Sequence, residues 1–452
     1  MKAEIITIGD ELLIGQVVDT NSAWMAERLN EVGIELYQIT SVHDNREHIL
    51  HAIDEAFLRA DIVFTTGGLG PTKDDITKHV MCEYFNTTLV EDVRVKAHIH
   101  ELYKDRPEAL NRLTATQWLV PQVATILPNR VGSAPIMVFE QSKVESQELK
   151  VNENSKTVSV CSQHLTLDIR QTKCLIALPG VPHEMKIAMT EQVIPFLLKT
   201  ENEKRKDENG RQKNGIIHRT ILLHGIPESK LAILIEDWEN ALPLSMHLAY
   251  LPKDGLIRLR LSTYADTSES EIEAQIQKLL PLIKEYLLAV EDISLEALAG
   301  RLLAQHHATI ATAESCTGGR LAAALNARSG SSVYYMGSVV AYDNTIKEQV
   351  LGVQIDTLMQ YGAVSEQTVR EMADNIRALM RTDYAIATSG IAGPTGGTPN
   401  KPVGTVWIAW ATPTGTEAQC FYFGATRERE QITQRAVTEA LVGLIKYINT
   451  EQ

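Results

Sequence analysis

No apolar run in this chain reaches the roughly 18 residues of a membrane-crossing helix, so no helical span is expected. The opening residues, Met1-Lys2-Ala3-Glu4-Ile5-Ile6, lack the long apolar core of a secretory leader and read as a strand. Cysteine is scarce. Cys82, Cys161, Cys174, Cys316 and Cys420 stand far apart and form no CxxC pair. A disulfide-built secreted domain is therefore not expected, and a reducing cytoplasm is. Positive charge is also short: 43 Lys and Arg face 57 Asp and Glu, a net charge of −14. Phosphate contacts supply most nucleic-acid affinity, so direct nucleic-acid binding is not expected. A local basic pocket for a small phosphorylated ligand remains compatible with that balance.

With 452 residues, 44% of them hydrophobic, the chain is too long for one ordinary core. At about 100–200 residues per domain, two to four domains are expected. The first part alternates strand and helix. Strand candidates are Glu4 to Gly9, Leu36 to Val42 and Asp61 to Thr66. Helix candidates run from a cap at Asn21 to about Val32, and from Arg46 to Leu58. This rhythm implies a mostly parallel sheet with right-handed crossovers. It resumes at Lys173 to Leu178 and ends in a helix from Pro182 to Lys199. A polar tract over about 141–172 reads as an insertion, with a hairpin candidate from Thr157 to Arg170. The charged stretch from Lys199 to Gly215 reads as a linker.

A small α+β module follows over 216–290. Its strands are Arg219 to His224, Ser245 to Leu251 and Leu256 to Thr263; its helices are Glu228 to Asn240 and Ser268 to Leu288. From about Glu291 the chain returns to α/β alternation. The domains are thus placed at 1–200, 216–290 and 291–452.

Two stretches carry chemistry. Thr66-Gly67-Gly68-Leu69-Gly70-Pro71-Thr72-Lys73-Asp74-Asp75-Ile76-Thr77 follows a strand and opens a helix. Its glycines let the backbone approach a ligand, and a helix start favours phosphate oxygens. Asp74 and Asp75 could hold a hard divalent cation; equally, they could complement the helix dipole while the glycines make a tight turn. Gly9-Asp10-Glu11 and Asp19-Thr20-Asn21 fall where open α/β sheets bind ligands.

The second stretch, Ala313-Glu314-Ser315-Cys316-Thr317-Gly318-Gly319, puts a serine at a strand-to-helix turn. Unpaired backbone N–H groups at the helix start could hold an anion or a developing oxyanion. A serine hydroxyl needs a base. His306 and His307 precede the strand, which leaves Lys347 as the better candidate, acting from the first turn after Val339-Val340-Ala341-Tyr342. Tyr342 could contact Ser315 or relay its proton. Cys316 is a rival nucleophile if a helix start activates its thiol, or a small buried residue. The loop Ser389-Gly390-Ile391-Ala392-Gly393-Pro394-Thr395-Gly396-Gly397 also follows a strand and fits ligand binding, and Arg427 and Arg429 are the candidate phosphate cations. By themselves, a lone serine before glycines is usually a helix cap and a lone lysine a solvated surface residue.

The Gly67–Thr77 motif resembles the molybdopterin-binding fold of molybdenum-cofactor biosynthesis proteins (MoaB/Mog-like). Ile8-Gly9-Asp10-Glu11-Leu12-Leu13-Ile14-Gly15, Leu127-Pro128-Asn129-Arg130-Val131-Gly132, Leu178-Pro179-Gly180-Val181-Pro182-His183-Glu184-Met185 and Ala313–Gly319 narrow the resemblance to the CinA family of competence/damage-inducible proteins. It covers nearly the whole chain in the family's domain order.

The resemblance implies three α/β parts: a molybdopterin-binding-like domain, a KH-like α+β connector and an α/β amidohydrolase domain. It implies a nicotinamide-mononucleotide amidohydrolase at the C-terminus, needing no cofactor. Ser315 would be its nucleophile, with Lys347 and Tyr342 as catalytic partners. Thr317, Gly318, Gly319, Gly390, Gly393 and Gly396 would line the substrate. The family's single arginine aligns with Arg427 or Arg429, and its spacing to Ile432 favours Arg429.

At the N-terminus the resemblance implies hydrolysis of ADP-ribose with a divalent metal (cobalt, magnesium or manganese), potassium helping. Asp10, Glu11, Asp19, Asp74 and Asp75 become candidate metal residues, and Asn21, Gly67, Gly68, Gly70 and Thr72 candidate substrate contacts. Related proteins also imply a homodimer. The sequence departs from the family at Ser133-Ala134-Pro135-Ile136, where isoleucine replaces a usual glycine, and in the length of the polar tract; both are expected near the substrate pocket. The competing readings are a molybdenum-cofactor-related binding protein and a non-enzymatic competence or DNA-damage interaction protein. In the middle module no GXXG occurs, and 7 Lys and Arg against 10 Asp and Glu give −3. The module therefore reads as a connector or dimer-forming element, not an RNA binder.

Overall fold

The computed structural model describes the chain except residues 73–74, 107, 109, 112–113, 142–172, 203–216, 264–267 and 451–452. Nearly all of the polar tract with its hairpin, most of the linker, and Asp74 therefore lie outside the described residues. Two compact units emerge: Met1–Ile217 with Thr263–Ser268, and His218–Ser262 with Glu269–Gln452.

The first unit opens with β1 (Lys2–Ile8), α1 (Asp10–Leu13), α2 (Thr20–Glu31), β2 (Glu35–Val42), α3 (Arg46–Arg59) and β3 (Ile62–Thr66), the expected alternation. It continues with α4 (Thr77–Tyr84), β4 (Leu89–Glu91), α5 (Val93–Leu102), β5 (Leu119–Pro121), β6 (Thr125–Leu127), β7 (Ile136–Gln141), β8 (Lys173–Leu178), α6 (Pro182–Ala188) and α7 (Ile194–Asn202). The main sheet has the order β2-β1-β3-β8-β7-β6. Its first four strands are parallel, and β7 and β6 are antiparallel.

Both faces of this sheet are covered, so its central strands read as unbroken apolar runs. Ile5, Phe64 and Ile176 pack on Met25 and Leu29 of α2. Their neighbours Ile6, Val63 and Leu175 point the other way, onto Ile49 and Ile53 of α3. Ile136 belongs to the α2-side core and is fully buried. It does not line the glycine-loop cavity described below, contrary to expectation, because the strand period turns it into the core. Asn21 lies inside α2, and the cap is Asp19, whose Oδ1 accepts from Ser22 N at 3.0 Å. Asn45 caps α3 through the amides of Glu47 and His48; removing such a cap costs about 1 kcal/mol. The expected helix over 182–199 is interrupted by one wide turn at Met189–Val193.

The second unit begins with β9 (Ile217–His224), α8 (Glu228–Asn240), β10 (Met246–Lys253), β11 (Leu256–Thr263), α9 (Glu269–Ile283) and β12 (Leu287–Ala289). These build a four-stranded sheet, β10-β11-β9-β12. The helix expected to reach Leu288 stops at Ile283. Pro281 cannot donate in its last turn, and Leu287 to Ala289 pair with β9 instead.

There follow α10 (Leu295–Gln305), β13 (Ile310–Glu314), α11 (Arg320–Asn326), β14 (Tyr335–Val340), α12 (Asn344–Gln349), α13 (Ile355–Tyr361), α14 (Glu366–Met380), β15 (Tyr384–Gly390), β16 (Thr405–Thr412), β17 (Gly415–Tyr422) and α15 (Arg429–Thr450). Their sheet runs β14-β13-β15-β16-β17. β13 is parallel to both neighbours, and β15 to β17 are antiparallel. Helices α10, α11 and α15 cover one face and α14 the other. Trp410 anchors β16 to α15 by donating Nε1–H to the Ala440 carbonyl at 2.8 Å. No described helix is long and apolar enough to cross a membrane.

Candidate functional sites

Ser315 follows the last residue of β13 and is nearly buried, at 9% exposure. Its amide donates to the Thr388 carbonyl at 2.9 Å, which fixes the turn against β15. The preceding Glu314 is fully buried. Its carboxylate accepts from the Thr317 hydroxyl at 2.7 Å and from the amides of Gly319, Leu321 and Ala322 at 3.0, 3.0 and 2.7 Å. Those are helix-start donors that the sequence reading left open for an anion. That expectation is corrected for these three amides: Glu314 already occupies them. The Thr317 hydroxyl is buried between Glu314 and Thr388, 2.7 Å from Thr388 Oγ1, so it braces the turn. Gly318 and Gly319, with positive φ, carry the chain round this carboxylate.

Cys316 is sealed in the core, and burial pushes its thiol up to about 12. It is a protonated thiol near neutrality. Lys347, in α12, is almost fully buried. Its Nζ donates to the carbonyls of Ala341 at 2.8 Å and Tyr342 at 3.1 Å. Burial lowers its pKa below the ordinary lysine value, against the opposing pull of Asp343 and Cys316. The Ala341 amide donates to the Glu314 carbonyl at 2.8 Å, which holds the lysine's segment beside the serine turn. Among the described residues no hydrogen bond joins Ser315 Oγ to Lys347 or Tyr342.

The Tyr342 side chain is 64% exposed, and its hydroxyl accepts from Arg429 Nη2 at 3.2 Å. The expected contact with Ser315 is thus replaced by one with Arg429. Arg429 also donates to the Gly393 carbonyl at 3.0 Å, which ties α15 to the glycine loop. Gly390 ends β15 and is half-buried, Gly393 is buried in the loop and Gly396 is exposed. Arg427 is exposed and makes no hydrogen bond or ion pair among the described residues.

In the first unit, a cavity of about 360 Å³ is lined by Glu11, Asp19, Asn21, Asp44, Asp75 and the glycines 67, 68 and 70, among others. Gly67 has φ +111, and a Cβ there would strike the Ile8 carbonyl. Asp75 accepts from the amides of Gly70 and Thr72, each at 2.8 Å, and from the Thr72 hydroxyl. Asn21 donates Nδ2–H to the Gly180 carbonyl at 2.7 Å, while its buried Oδ1 has no partner. Asp10 does not line the cavity; it pairs with His43 Nδ1 at 2.8 Å. Asp44, a residue the sequence reading did not single out, is raised in pKa by burial and then by the charges of Asp10, Glu11 and Asp75.

Four carboxylates therefore gather at this cavity, but they do not converge. Asp19 and Asp75 have both oxygens engaged by local donors. Among the described residues, no three acidic, histidine or cysteine side chains form a group that could hold a metal ion. The described donor set does not fit a resident divalent metal.

Comparison with known proteins follows this layout. Three family descriptions match the chain: a probable molybdopterin binding domain over 4–199, the damage-inducible protein CinA KH domain over 218–289, and the CinA C-terminal domain over 292–448. A CinA-like protein of Flavobacterium psychrophilum is 40% identical, the alignment covering 99% of each chain. A putative competence-damage inducible protein of Clostridium beijerinckii is 38% identical over 90% of each. The crystal structure of competence damage-inducible protein A from Klebsiella pneumoniae is 41% identical, covers 35% of this chain and 97% of its own, and has a TM-score of 0.34.

Proposed function

The chain belongs to the CinA family, and from that premise we propose that its C-terminal part deamidates nicotinamide mononucleotide to nicotinate mononucleotide. The observation that carries this reading is the setting of Lys347. A neutral amine has two N–H donors and one lone pair. Two main-chain carbonyls accept the two hydrogens, and burial favours the neutral form. The lone pair is then available to the serine turn alongside.

In this reading Ser315 Oγ attacks the carboxamide carbon, and Lys347 takes the hydroxyl proton. The lysine returns that proton to the departing nitrogen, which leaves as ammonia. Water attacks the resulting ester, Lys347 accepts its proton, and nicotinate mononucleotide leaves as Ser315 is reprotonated. Arg429 holds the phosphate and Tyr342 positions Arg429. Ammonia release from the mononucleotide by the intact chain tests the proposal. No release from folded protein would overturn it.

For the first unit we infer a nucleotide site that hydrolyses ADP-ribose, supported by the cavity at the glycine loop and the unpartnered Asn21 Oδ1. Because the described donors do not make a metal site, no step is assigned to a metal. AMP release from ADP-ribose, measured with added magnesium and after chelation, tests both parts. No release under either condition would remove the activity.

A further inference from the structure

The second unit holds another cavity, of about 500 Å³, bounded by the end of β9, the β10–β11 turn and α15. Arg435 of α15 lines it. The guanidinium lies 5.9 Å from the Phe423 ring centroid. On the turn side is Gly255, φ +88, where an added Cβ would stand 2.6 Å from Nη1. Gly255 leaves the room that the guanidinium tip fills. The guanidinium Nε is buried without a partner, and among the described residues no carboxylate pairs with Arg435. The carboxylate one helical turn on, Glu439, is engaged by His224 Nε2 at 3.1 Å, both side chains being 11% exposed. His224 Nδ1 is also buried and unpartnered.

A planar cation packed by an aromatic ring and a glycine, with no carboxylate paired to it among the described residues, is pre-organised for a carboxylate or phosphate. Lys253, on the same turn, adds a second positive charge at the cavity wall. Glu228, Asp254 and Glu439 also line it, so a bare anion would meet repulsion. A ligand that carries hydroxyl donors beside its anionic group satisfies both sets. The volume suits a small metabolite.

We propose that this cavity binds a phosphorylated sugar, with its phosphate on Arg435 and Lys253 and its hydroxyls donated to Glu439 and the neighbouring carboxylates. Hydrogen exchange on the full-length chain tests this, with ribose 5-phosphate, inorganic phosphate and ribose as probes. Ribose 5-phosphate should slow exchange in the peptides covering residues 252–257 and 431–440. Inorganic phosphate should do so only at concentrations about tenfold higher or more, and ribose not at all. Arg435→Ala should lose the protection. Arg435→Lys, which keeps the charge and stem but not the fork, should weaken it at least about tenfold. Arg429→Ala should retain it. Absence of protection, or protection that survives in folded Arg435→Lys at full strength, would overturn the site. Equal potency of inorganic phosphate would overturn the sugar assignment.

Discussion

The two glycine-loop sites are built alike and equipped differently. In each unit a carboxylate is folded into a strand-to-helix loop and takes its amides: Asp75 those of Gly70 and Thr72, Glu314 those of Gly319, Leu321 and Ala322. In each, a buried lysine donates to two main-chain carbonyls. Lys78 reaches those of Thr116 and Gln117, at 3.2 and 3.4 Å, and Lys347 those of Ala341 and Tyr342, at 2.8 and 3.1 Å. Burial lowers the pKa of both, Lys78 to about 8. The difference is the neighbour. Lys347 lies beside the turn that carries Ser315, whereas the charges acting on Lys78 are those of Cys82 and Asp75. In the proposed mechanism this neighbour is what sets them apart: only Lys347 has the turn of the proposed nucleophile held beside it.

The sharpest way to break this comparison is Ser315→Ala. It should lower deamidation by roughly 10⁴-fold or more and leave AMP release from ADP-ribose intact, whereas Cys316→Ala should keep most deamidation. Deamidation surviving in Ser315→Ala and lost in folded Cys316→Ala would make this a thiol enzyme. Lys347→Ala comes next, with a loss of about 10²-fold or more. The base must be neutral, so the wild-type rate should fall as pH drops through the lysine's pKa. That limb should lie below the ordinary lysine range, and a pH profile flat down to pH 5 would contradict the assignment. Arg429→Ala removes a charge-assisted contact worth about 1.5–3 kcal/mol. It should weaken use of the mononucleotide about tenfold or more and that of the dephosphorylated nucleoside much less. Arg427→Ala should change little, and the reverse pattern would move the phosphate to Arg427.

The smallest expected effect is the stability cost of burying Lys78. The folded pKa of Lys78, about 8, lies below the unfolded value of 10.5, so the folded state disfavours its charged form. The cost is full below pH 8 and is relieved as pH rises toward about 10.5. Lys78→Met should therefore raise the melting temperature by a few degrees at pH 7 and less at pH 10. An unchanged difference between the two pH values would show that the gain is packing alone.

Much of this arrangement was legible in the residues. The alternation of short apolar strand runs with helical stretches, and the turn glycines, marked the strand–loop–helix units. The strand-to-helix turn and the need for a base singled out Ser315 and Lys347, and the family's spacing favoured Arg429 over Arg427. What stayed hidden depends on where side-chain oxygens find donors. Glu314 precedes the serine and ends a strand, and only the fold of the loop brings the first amides of α11 onto its carboxylate. Asn21 was expected to cap α2, but Asp19 is the cap and Asn21 Nδ2 instead reaches the Gly180 carbonyl, distant in sequence. Pro281 was a readable stop in α9, but the apolar Leu287-Leu288 masked it by continuing the pattern. Asp44 gave no signal, because its charged neighbours arrive from two segments distant in sequence, Asp10-Glu11 and Asp75.

The sealing of Cys316 also makes it a clock. Cys420 is exposed and should react with a thiol reagent at once, while Cys316 should be modified only when the turn at Ser315 opens. Its slow labelling rate would then report the local opening free energy of the turn. Inactivation by a thiol reagent on that slow timescale would mark disruption of a hydroxyl enzyme's scaffold and would be no sign of thiol catalysis.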